Sequence, residues 1–274
     1  MADNSLRETP TLRRGGADSQ EYLFDHAQRT ELVRLRALSA VCDPWTIQVL
    51  KRIRPRPGWR CLDVGSGAGS IAQWLAQRVA PPGEVVAADL DTVFLEPLAS
   101  PTLRVLQHDI LTGPVERRAF DLVHARYLLE WLQPWEVGLD HLLASVKPGG
   151  VIVLADIDWQ TLVPAPASLD AFFAAFAVVM QQHGRWDPGC GRWLAERLEA
   201  HGVHDVQAEL HAARVRGGSV GIDWARLSIA PLRRGLLEVG GLDEATLQTA
   251  AATLADPATS IWLPAMVAAW GTVP

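Results

Sequence analysis

Residues Cys61–Ser70 read CLDVGSGAGS, an apolar strand that runs into a glycine-rich turn before a helix-forming segment. The glycines at positions 65, 67 and 69 give the spacing G-x-G-x-G. A dinucleotide-binding turn also needs glycines for a tight turn and close ligand approach, but its spacing is G-x-G-x-x-G/A, and Ser70 stands where its last small residue would be. Asp63 would also place a carboxylate where it repels a pyrophosphate. The turn therefore favours a ligand that lacks phosphate and carries a cationic group.

The chain around this turn alternates short apolar runs with helical segments from Arg60 onward, which is typical of βαβ units and a parallel sheet. Predicted strands lie at Cys61–Gly65, Val85–Leu90, Leu103–His108, Phe120–Ala125, Gly150–Ala155, Val206–Val215 and Trp262–Trp270. Predicted helices lie at Arg29–Val41, from Asp43-Pro44 to Ile53, at Leu169–His183, at Cys190–His201, and as a pair across Ser219–Leu254. Two helices are thus expected before the first strand.

The composition excludes several classes of protein. A chain of 274 residues that is 49% hydrophobic can bury a full core. Its 25 basic against 31 acidic residues give a net charge of −6, which argues against a surface that grips nucleic acid through phosphates. The three cysteines are widely spaced and predict neither a disulfide framework nor a metal site. No apolar run reaches the roughly 18 residues of a membrane span, and no signal peptide is visible. We expect a cytoplasmic protein with a small-molecule partner, no membrane association and no bound metal.

Further motifs give the chain a resemblance to class I S-adenosylmethionine-dependent methyltransferases, extending from about Tyr22 to the C-terminus and strongest over residues 60–159. Besides the glycine turn, Asp89 ends strand two, Asp109 follows strand three, and KPGG at residues 147–150 precedes strand five, each at the position of a family motif. The sequence is most similar to bacterial small-molecule enzymes, including those of the ubiquinone and menaquinone type and those of secondary metabolism.

The resemblance implies an α/β fold with a Rossmann-like seven-stranded sheet, of which six strands are parallel and the last is antiparallel. It implies a helical N-terminal cover and helical insertions after strands five and six. Residues 1–19 are expected to be a disordered tail, and residues 20–274 a single methyltransferase domain. Within that domain, residues 20–59 would form the cover, residues 60–158 the cofactor-binding core, and residues 159–274 the substrate-cover helices and last strands.

The resemblance also implies a cofactor site for S-adenosylmethionine, with S-adenosylhomocysteine as product. The glycine turn would wrap the methionine moiety, Asp89 would accept both ribose hydroxyls, and Asp109 would accept from the adenine amino group. The expected cofactor-binding residues are Tyr22, Asp63, Gly65, Ser66, Gly67, Asp89, Leu90, His108, Asp109, Ile110, Ala125 and Arg126.

Acceptor contacts are expected after strands four and five, because ligands of open parallel sheets bind beyond the carboxyl ends of the strands. The expected substrate-binding residues are Tyr127, Trp131, Asp156, Asp158, Trp159, His183 and Trp186. Three residues are candidate catalytic groups: Asp158 as a base or orienting acid, His183 as a base from the covering segment, and the Tyr22 hydroxyl as a lid. Purely structural alternatives stay open for these residues. In them Asp156 caps the next turn, Asp158 is solvated, and His183 and Tyr22 have structural roles.

The predicted function is methyl transfer to O, N or C of a bulky, partly aromatic small molecule, such as an intermediate of natural-product or antibiotic biosynthesis. A homodimer is compatible with this interpretation. Two other classes stay open: a methyltransferase fold that catalyses a cyclisation or another non-methylating step, and a non-catalytic module that binds S-adenosylmethionine.

Overall fold

The computed structural model describes residues 29–163, 166–182 and 186–274. Its strands are β1 (Arg60–Val64), β2 (Glu84–Asp89), β3 (Leu103–Gln107), β4 (Phe120–Arg126), β5 (Val146–Asp158), β6 (His204–His211), β7 (Arg214–Arg216), β8 (Ser260–Trp262) and β9 (Ala265–Thr272). Its α-helices are α1 (Arg29–Ile53), α2 (Ser70–Val79), α3 (Trp135–Ser145), α4 (Ala167–Gln182), α5 (Leu194–Ala200), α6 (Val220–Glu238) and α7 (Glu244–Ala255). The predicted N-terminal tail, Tyr22 and His183 lie outside the described residues.

Seven strands form one sheet in the order β3-β2-β1-β4-β5-β9-β6. The pairs from β3 through to β5 are parallel, whereas β9 runs antiparallel to both of its neighbours, β5 and β6. This confirms the predicted Rossmann-like sheet with six parallel strands and one antiparallel strand. The chain reverses its strand order between β1 and β4, and in open α/β sheets such a switch point forms a ligand crevice at the carboxyl ends of the strands.

The predicted extents of the last two strands were wrong, because each divides in two. β7 and β8 leave the large sheet and pair with each other, with Val215 opposite Ile261. Pro264 separates β8 from β9, and a proline cannot donate to a strand ladder. Only the second part of the predicted strand Trp262–Trp270 therefore enters the large sheet, as β9.

The prediction of two N-terminal helices was also wrong, since α1 continues through Pro44. Proline removes one backbone donor and disfavours a helix interior, but packing can outweigh that cost. Trp45, Val49 and Leu50 are buried in the cluster that joins α1 to the sheet. Asp43, where the second helix was predicted to begin, lies within α1 and accepts a hydrogen bond from the Arg126 guanidinium at 2.7 Å.

Helices cover both faces of the large sheet. α1 and α2 bury residues such as Leu50 and Leu75 against one face, while α3 and α5 bury Leu139 and Leu198 against the other. A third apolar cluster joins α4, α6 and α7. None of the helices in the described ranges has the length and apolar content to span a membrane.

Candidate active site

A cavity of about 710 Å³ lies at the carboxyl ends of β1, β2 and β4. Its volume falls in the range of about 300–1,000 Å³ that is usual for small-molecule sites. One part of its wall comes from the strand ends and from α1, and another from α4, α6 and the segment before β9. The cavity therefore joins the predicted cofactor region to the helices that follow β5.

The glycine turn has a backbone that side chains would disrupt. Gly65, Gly67 and Gly69 have φ angles of 69°, 53° and 76°, which lie in the left-handed region that glycine tolerates best. A Cβ atom on Gly69 would lie 2.5 Å from Cδ1 of Leu98. The Gly65 amide donates to the Ala88 carbonyl at 2.9 Å, which fixes the turn beside the end of β2. The turn is thus fixed in the cavity wall, which Gly65 and Gly67 line.

Two predicted cofactor carboxylates line the cavity beside this turn. The Asp89 carboxylate accepts from the Gly67 amide at 2.8 Å, and the Asp109 carboxylate accepts from the Leu111 amide at 2.9 Å. Other predicted cofactor residues in the cavity wall are Asp63, Gly65, Ser66, Leu90, His108, Ile110 and Arg126. Ala125 is instead buried in the core cluster under α3. The structure therefore brings together most of the predicted cofactor set that lies within the described residues.

Asp63 has a buried partner that the sequence analysis missed. His124 Nδ1 lies 2.7 Å from Oδ1 of Asp63, and the two residues are 1% and 3% exposed. The contact follows from the parallel pairing of β1 with β4, which sets Asp63 beside His124. His124 also lines the cavity. No local sequence signal marks this contact, because only the register of two strands brings the residues together.

Arg126 and Tyr127 connect the end of β4 to α1. The Arg126 guanidinium donates to Thr46 Oγ1 at 2.8 Å and to Asp43 Oδ1 at 2.7 Å. The Tyr127 hydroxyl lies 3.4 Å from the Cys42 sulfur. Both predicted site residues line the cavity, where they hold α1 over it.

The two acids of β5 lie outside the residues that line the cavity. The Asp158 carboxylate accepts from Arg192 Nε and Nη2 at 3.0 and 2.9 Å and from the Gln160 amide at 3.0 Å, so Asp158, not Asp156, caps the following turn. Asp156 is buried and accepts from the Leu129 amide at 3.1 Å. Burial raises the pKa of Asp156 to about 8. The structure thus gives both acids protein partners away from the cavity.

Glu130 is a second residue that the sequence analysis did not single out. Its side chain is buried, and its Oε2 accepts from the indole Nε1 of Trp186 at 2.9 Å. Burial, and next the nearby Asp156, raise the pKa of Glu130 well above that of an ordinary glutamate. Unlike Asp156 and Asp158, Glu130 lines the cavity. It is therefore a carboxyl group of this cavity that holds its proton to higher pH than an ordinary glutamate.

Five aromatic side chains form the far side of the cavity, named here the aromatic wall: Trp131, Trp159, Phe176, Trp186 and Trp224. The Trp159 ring is central, with centroid distances of 5.3 Å to Phe176, 5.6 Å to Trp186 and 6.5 Å to Trp224. The Trp224 Nε1 atom is buried and has no hydrogen-bond partner among the described residues. The predicted acceptor residues Trp131, Trp159 and Trp186 therefore meet in one surface, together with rings of α4 and α6.

The sequence matches the family model of the methyltransferase domain over residues 32–208. Among curated relatives, it is 30% identical over 146 residues to the methyltransferase str2 of Strobilurus tenacellus, and the match covers 52% of each chain. It is 25% identical over 201 residues to the ubiquinone/menaquinone biosynthesis C-methyltransferase UbiE of Coxiella burnetii strain RSA 493, covering 70% of this chain and 79% of that protein. The chain thus spans about half the length of str2 and 79% of the length of UbiE.

Solved structures share the fold. The phosphoethanolamine N-methyltransferase 2 of Haemonchus contortus in complex with S-adenosyl-L-methionine aligns with a TM-score of 0.59 at 16% identity, covering 94% of this chain and 61% of that one. A SAM-dependent methyltransferase from Aquifex aeolicus aligns with a TM-score of 0.51 at 15% identity, covering 90% and 100%. The family model matches more than half of this chain, so the chain belongs to the methyltransferase domain family, and it has a Rossmann-like fold.

Proposed function

We propose that the chain transfers a methyl group from S-adenosylmethionine to an oxygen, nitrogen or carbon atom of a bulky, partly aromatic small molecule. The observation that carries this proposal is the cavity of about 710 Å³, in which the glycine turn and the aromatic wall share one space. S-adenosylmethionine supplies a methyl group that its sulfonium already activates. The protein then has to align the nucleophile and exclude water.

The residues beside the glycine turn fit this cofactor. The turn presents backbone without side chains at Gly65 and Gly67, which line the cavity. The carboxylates of Asp89 and Asp109 are acceptors for ribose hydroxyls and for the adenine amino group. Leu90 and Ile110 offer apolar surface to the adenine ring in the same wall. We assign these residues to the nucleoside part of the cofactor.

The aromatic wall fits a flat and largely apolar acceptor. Aromatic rings offer large apolar surfaces with preferred edge and face contacts, and pockets for small molecules combine such surfaces with a few polar groups. The Trp224 indole N–H is one such group, because a buried donor without a partner is costly. An oxygen of the acceptor would satisfy this donor. The UbiE relatives, named for ubiquinone and menaquinone biosynthesis, support an acceptor with a ring.

Glu130 is the group that we assign to proton handling. Of the three sequence-based candidates, Tyr22 and His183 lie outside the described residues. Arg192 and the Gln160 amide occupy the carboxylate of the third, Asp158, outside the cavity wall. Glu130 lies in the cavity wall, and burial raises its pKa well above that of an ordinary glutamate, which makes its carboxylate a stronger base. When bound, S-adenosylmethionine would supply the methyl carbon, with its thioether as the leaving group. For an oxygen nucleophile, the Glu130 carboxylate would take the hydroxyl proton.

The acceptor is proposed to be a small molecule rather than a nucleic acid, which the net charge of −6 supports. A natural-product intermediate suits the size of the cavity and its rings. A cytoplasmic location and a homodimer stay predictions of the sequence.

The experiment that tests this function uses S-adenosylmethionine with a labelled methyl group and a panel of naphthols, hydroxyquinones and aryl amines. We expect mass spectrometry to find the label in at least one product, and Asp89→Ala to reduce its formation. A Trp193→Phe variant, altered at an exposed ring outside the cavity, is the matched control. Binding of S-adenosylhomocysteine without label transfer to any acceptor would contradict methylation and favour a non-methylating or purely binding role.

A further inference from the structure

We propose that the Nε2 atom of His124 accepts a hydrogen bond from the α-ammonium group of the cofactor, with Asp63 holding the imidazole in the tautomer that this bond requires. The assignment rests on the proposed function and extends it. The sequence pattern alone placed the cationic group of the ligand next to Asp63. In the structure, the imidazole of His124 lies against the Asp63 carboxylate.

The pair is built into the sheet. Asp63 and His124 occupy paired positions on β1 and β4, and their side chains meet at 2.7 Å. They are 3% and 1% exposed, so neither side chain is solvated at the protein surface. Asp63 lies just before the glycine turn, and both residues line the cavity. The pair thus sits where the turn would hold the methionine part of the cofactor.

The second ring nitrogen of His124 has no hydrogen-bond partner in the described part of the chain, although it is buried. Buried polar side-chain atoms in native proteins are nearly always paired with protein, water or ligand. Because His124 belongs to the cavity wall, we assign the missing partner to a ligand group.

The tautomer decides what kind of group this nitrogen can bind. An ionised carboxylate only accepts hydrogen bonds, so the hydrogen of a neutral His124 ring lies on Nδ1, toward Asp63. Nε2 then carries a lone pair and accepts. An ammonium group only donates, and the buried Asp63 charge behind the ring favours a cation in front of it. Arg126 is another cation near this position, but its guanidinium already donates to Asp43 and Thr46.

The experiment compares two ligands by isothermal titration calorimetry. S-adenosylhomocysteine carries the amino-acid part, and 5′-methylthioadenosine has the same nucleoside without it. In His124→Asn and in Asp63→Asn, we expect the affinity for S-adenosylhomocysteine to fall by roughly 10- to 100-fold, the size of a hydrogen bond to a charged group. The affinity for 5′-methylthioadenosine should stay unchanged, which also shows that the nucleoside half is folded. Asp109→Asn is the matched control and should weaken both ligands alike.

Equal losses for both ligands in His124→Asn, or no loss for either, would overturn the assignment to the ammonium group while leaving the proposed function intact. If the unaltered protein bound neither ligand, the cofactor itself would be wrong, and the assignment with it. The two failures are therefore distinguishable in one set of titrations.

Discussion

The two halves of the cavity are built in different ways. The half proposed to hold the cofactor, called here the cofactor half, consists of backbone turns and carboxylates at the ends of successive strands, such as the glycine turn after β1 and Asp89 at the end of β2. The acceptor half consists of side chains from distant segments, such as Trp159 after β5, Phe176 on α4 and Trp224 on α6. In the proposed function, recognition of the cofactor thus depends on local backbone geometry, whereas recognition of the acceptor depends on long-range packing.

This difference predicts that changes in one half leave the other half working. A substitution near the glycine turn should alter the affinity for S-adenosylhomocysteine, and a substitution in the aromatic wall should alter acceptor turnover. Glu130 is a polar group within the acceptor half, where the Trp186 indole donates to its carboxylate.

The largest effect is expected for Glu130→Gln, which removes the proposed base and keeps the shape of the side chain. Turnover of an oxygen acceptor should fall by about 100-fold or more, the usual contribution of general base catalysis. Affinity for S-adenosylhomocysteine should not change. Because the active form is the carboxylate and its pKa is raised, turnover of the unaltered enzyme should increase with pH over a range above that of an ordinary glutamate.

The matched control is Glu136→Gln, at an exposed glutamate on α3. Turnover and pH profile should stay as in the unaltered enzyme. If Glu130→Gln retained full turnover and the same pH profile, Glu130 would be part of the wall and not the base.

Gly69→Ala tests the backbone side of the comparison. The backbone of the new alanine would have an unfavourable φ of 76°, and its Cβ atom would lie 2.5 Å from Cδ1 of Leu98. We expect the free energy of unfolding to fall by about 1–3 kcal/mol, the cost of a strained residue, and affinity for S-adenosylhomocysteine to drop as the turn shifts. Urea unfolding and calorimetry measure the two effects.

Gly202→Ala separates strain from collision, because Gly202 has a φ of 79° and open space where its Cβ would lie. It should show the smaller loss of stability and no loss of affinity. Equal behaviour of the two variants would remove the steric argument for the glycine turn.

Asp156→Asn sharpens the boundary between the halves, since Asp156 supports the segment that carries Glu130. Burial raises the pKa of Asp156 to about 8 in the folded protein, so the folded state holds a proton that the unfolded chain has already released near neutral pH. Stability should therefore decline as pH rises from about 4 toward 8. The amide variant should show a decline shallower by up to about 1.4 kcal/mol per pH unit.

Urea unfolding at several pH values in that range measures this slope. Glu136→Gln, at an exposed acid on α3, is the control and should keep the slope of the unaltered protein. An unchanged slope in Asp156→Asn would mean that Asp156 is already ionised in the folded protein.

The smallest effect is expected for Trp224→Phe, which keeps an aromatic ring but removes the buried indole N–H. KM for an oxygen-bearing acceptor should rise several-fold, in keeping with the loss of a single hydrogen bond of about 1 kcal/mol. The kinetic comparison uses Trp193→Phe as control, because that ring is 50% exposed. A KM that did not move would assign the acceptor oxygen elsewhere.

The sequence was sufficient for the features that local spacing determines. Alternating apolar runs predicted the sheet strands. The G-x-G-x-G spacing, with Asp89 and Asp109 from the family resemblance, predicted residues that the structure places together in the cavity wall; their contact with a cofactor stays a prediction. It was insufficient where packing overrides a local signal. Pro44 does not end α1, because Trp45 and Leu50 on the same helix are buried against the sheet.

The side chains that the sequence analysis missed depend on contacts between distant segments. His124 meets Asp63 through strand register across 61 positions, and Glu130 meets Trp186 across 56. A contact between distant segments also accounts for the position of Asp158 outside the cavity wall. Arg192, which follows α4 in the chain, donates to its carboxylate. Spacing along the chain cannot show any of these pairings.

The most direct test of separate halves is calorimetric titration of S-adenosylhomocysteine into Asp89→Ala and Trp159→Leu beside the unaltered protein. Loss of the Asp89 carboxylate should weaken binding by roughly 10- to 100-fold, as expected for hydrogen bonds to a charged group. Trp159→Leu should bind the ligand as the unaltered protein does. Unchanged affinity in Asp89→Ala, or an equal loss in Trp159→Leu, would contradict the division of the cavity into a cofactor half and an acceptor half.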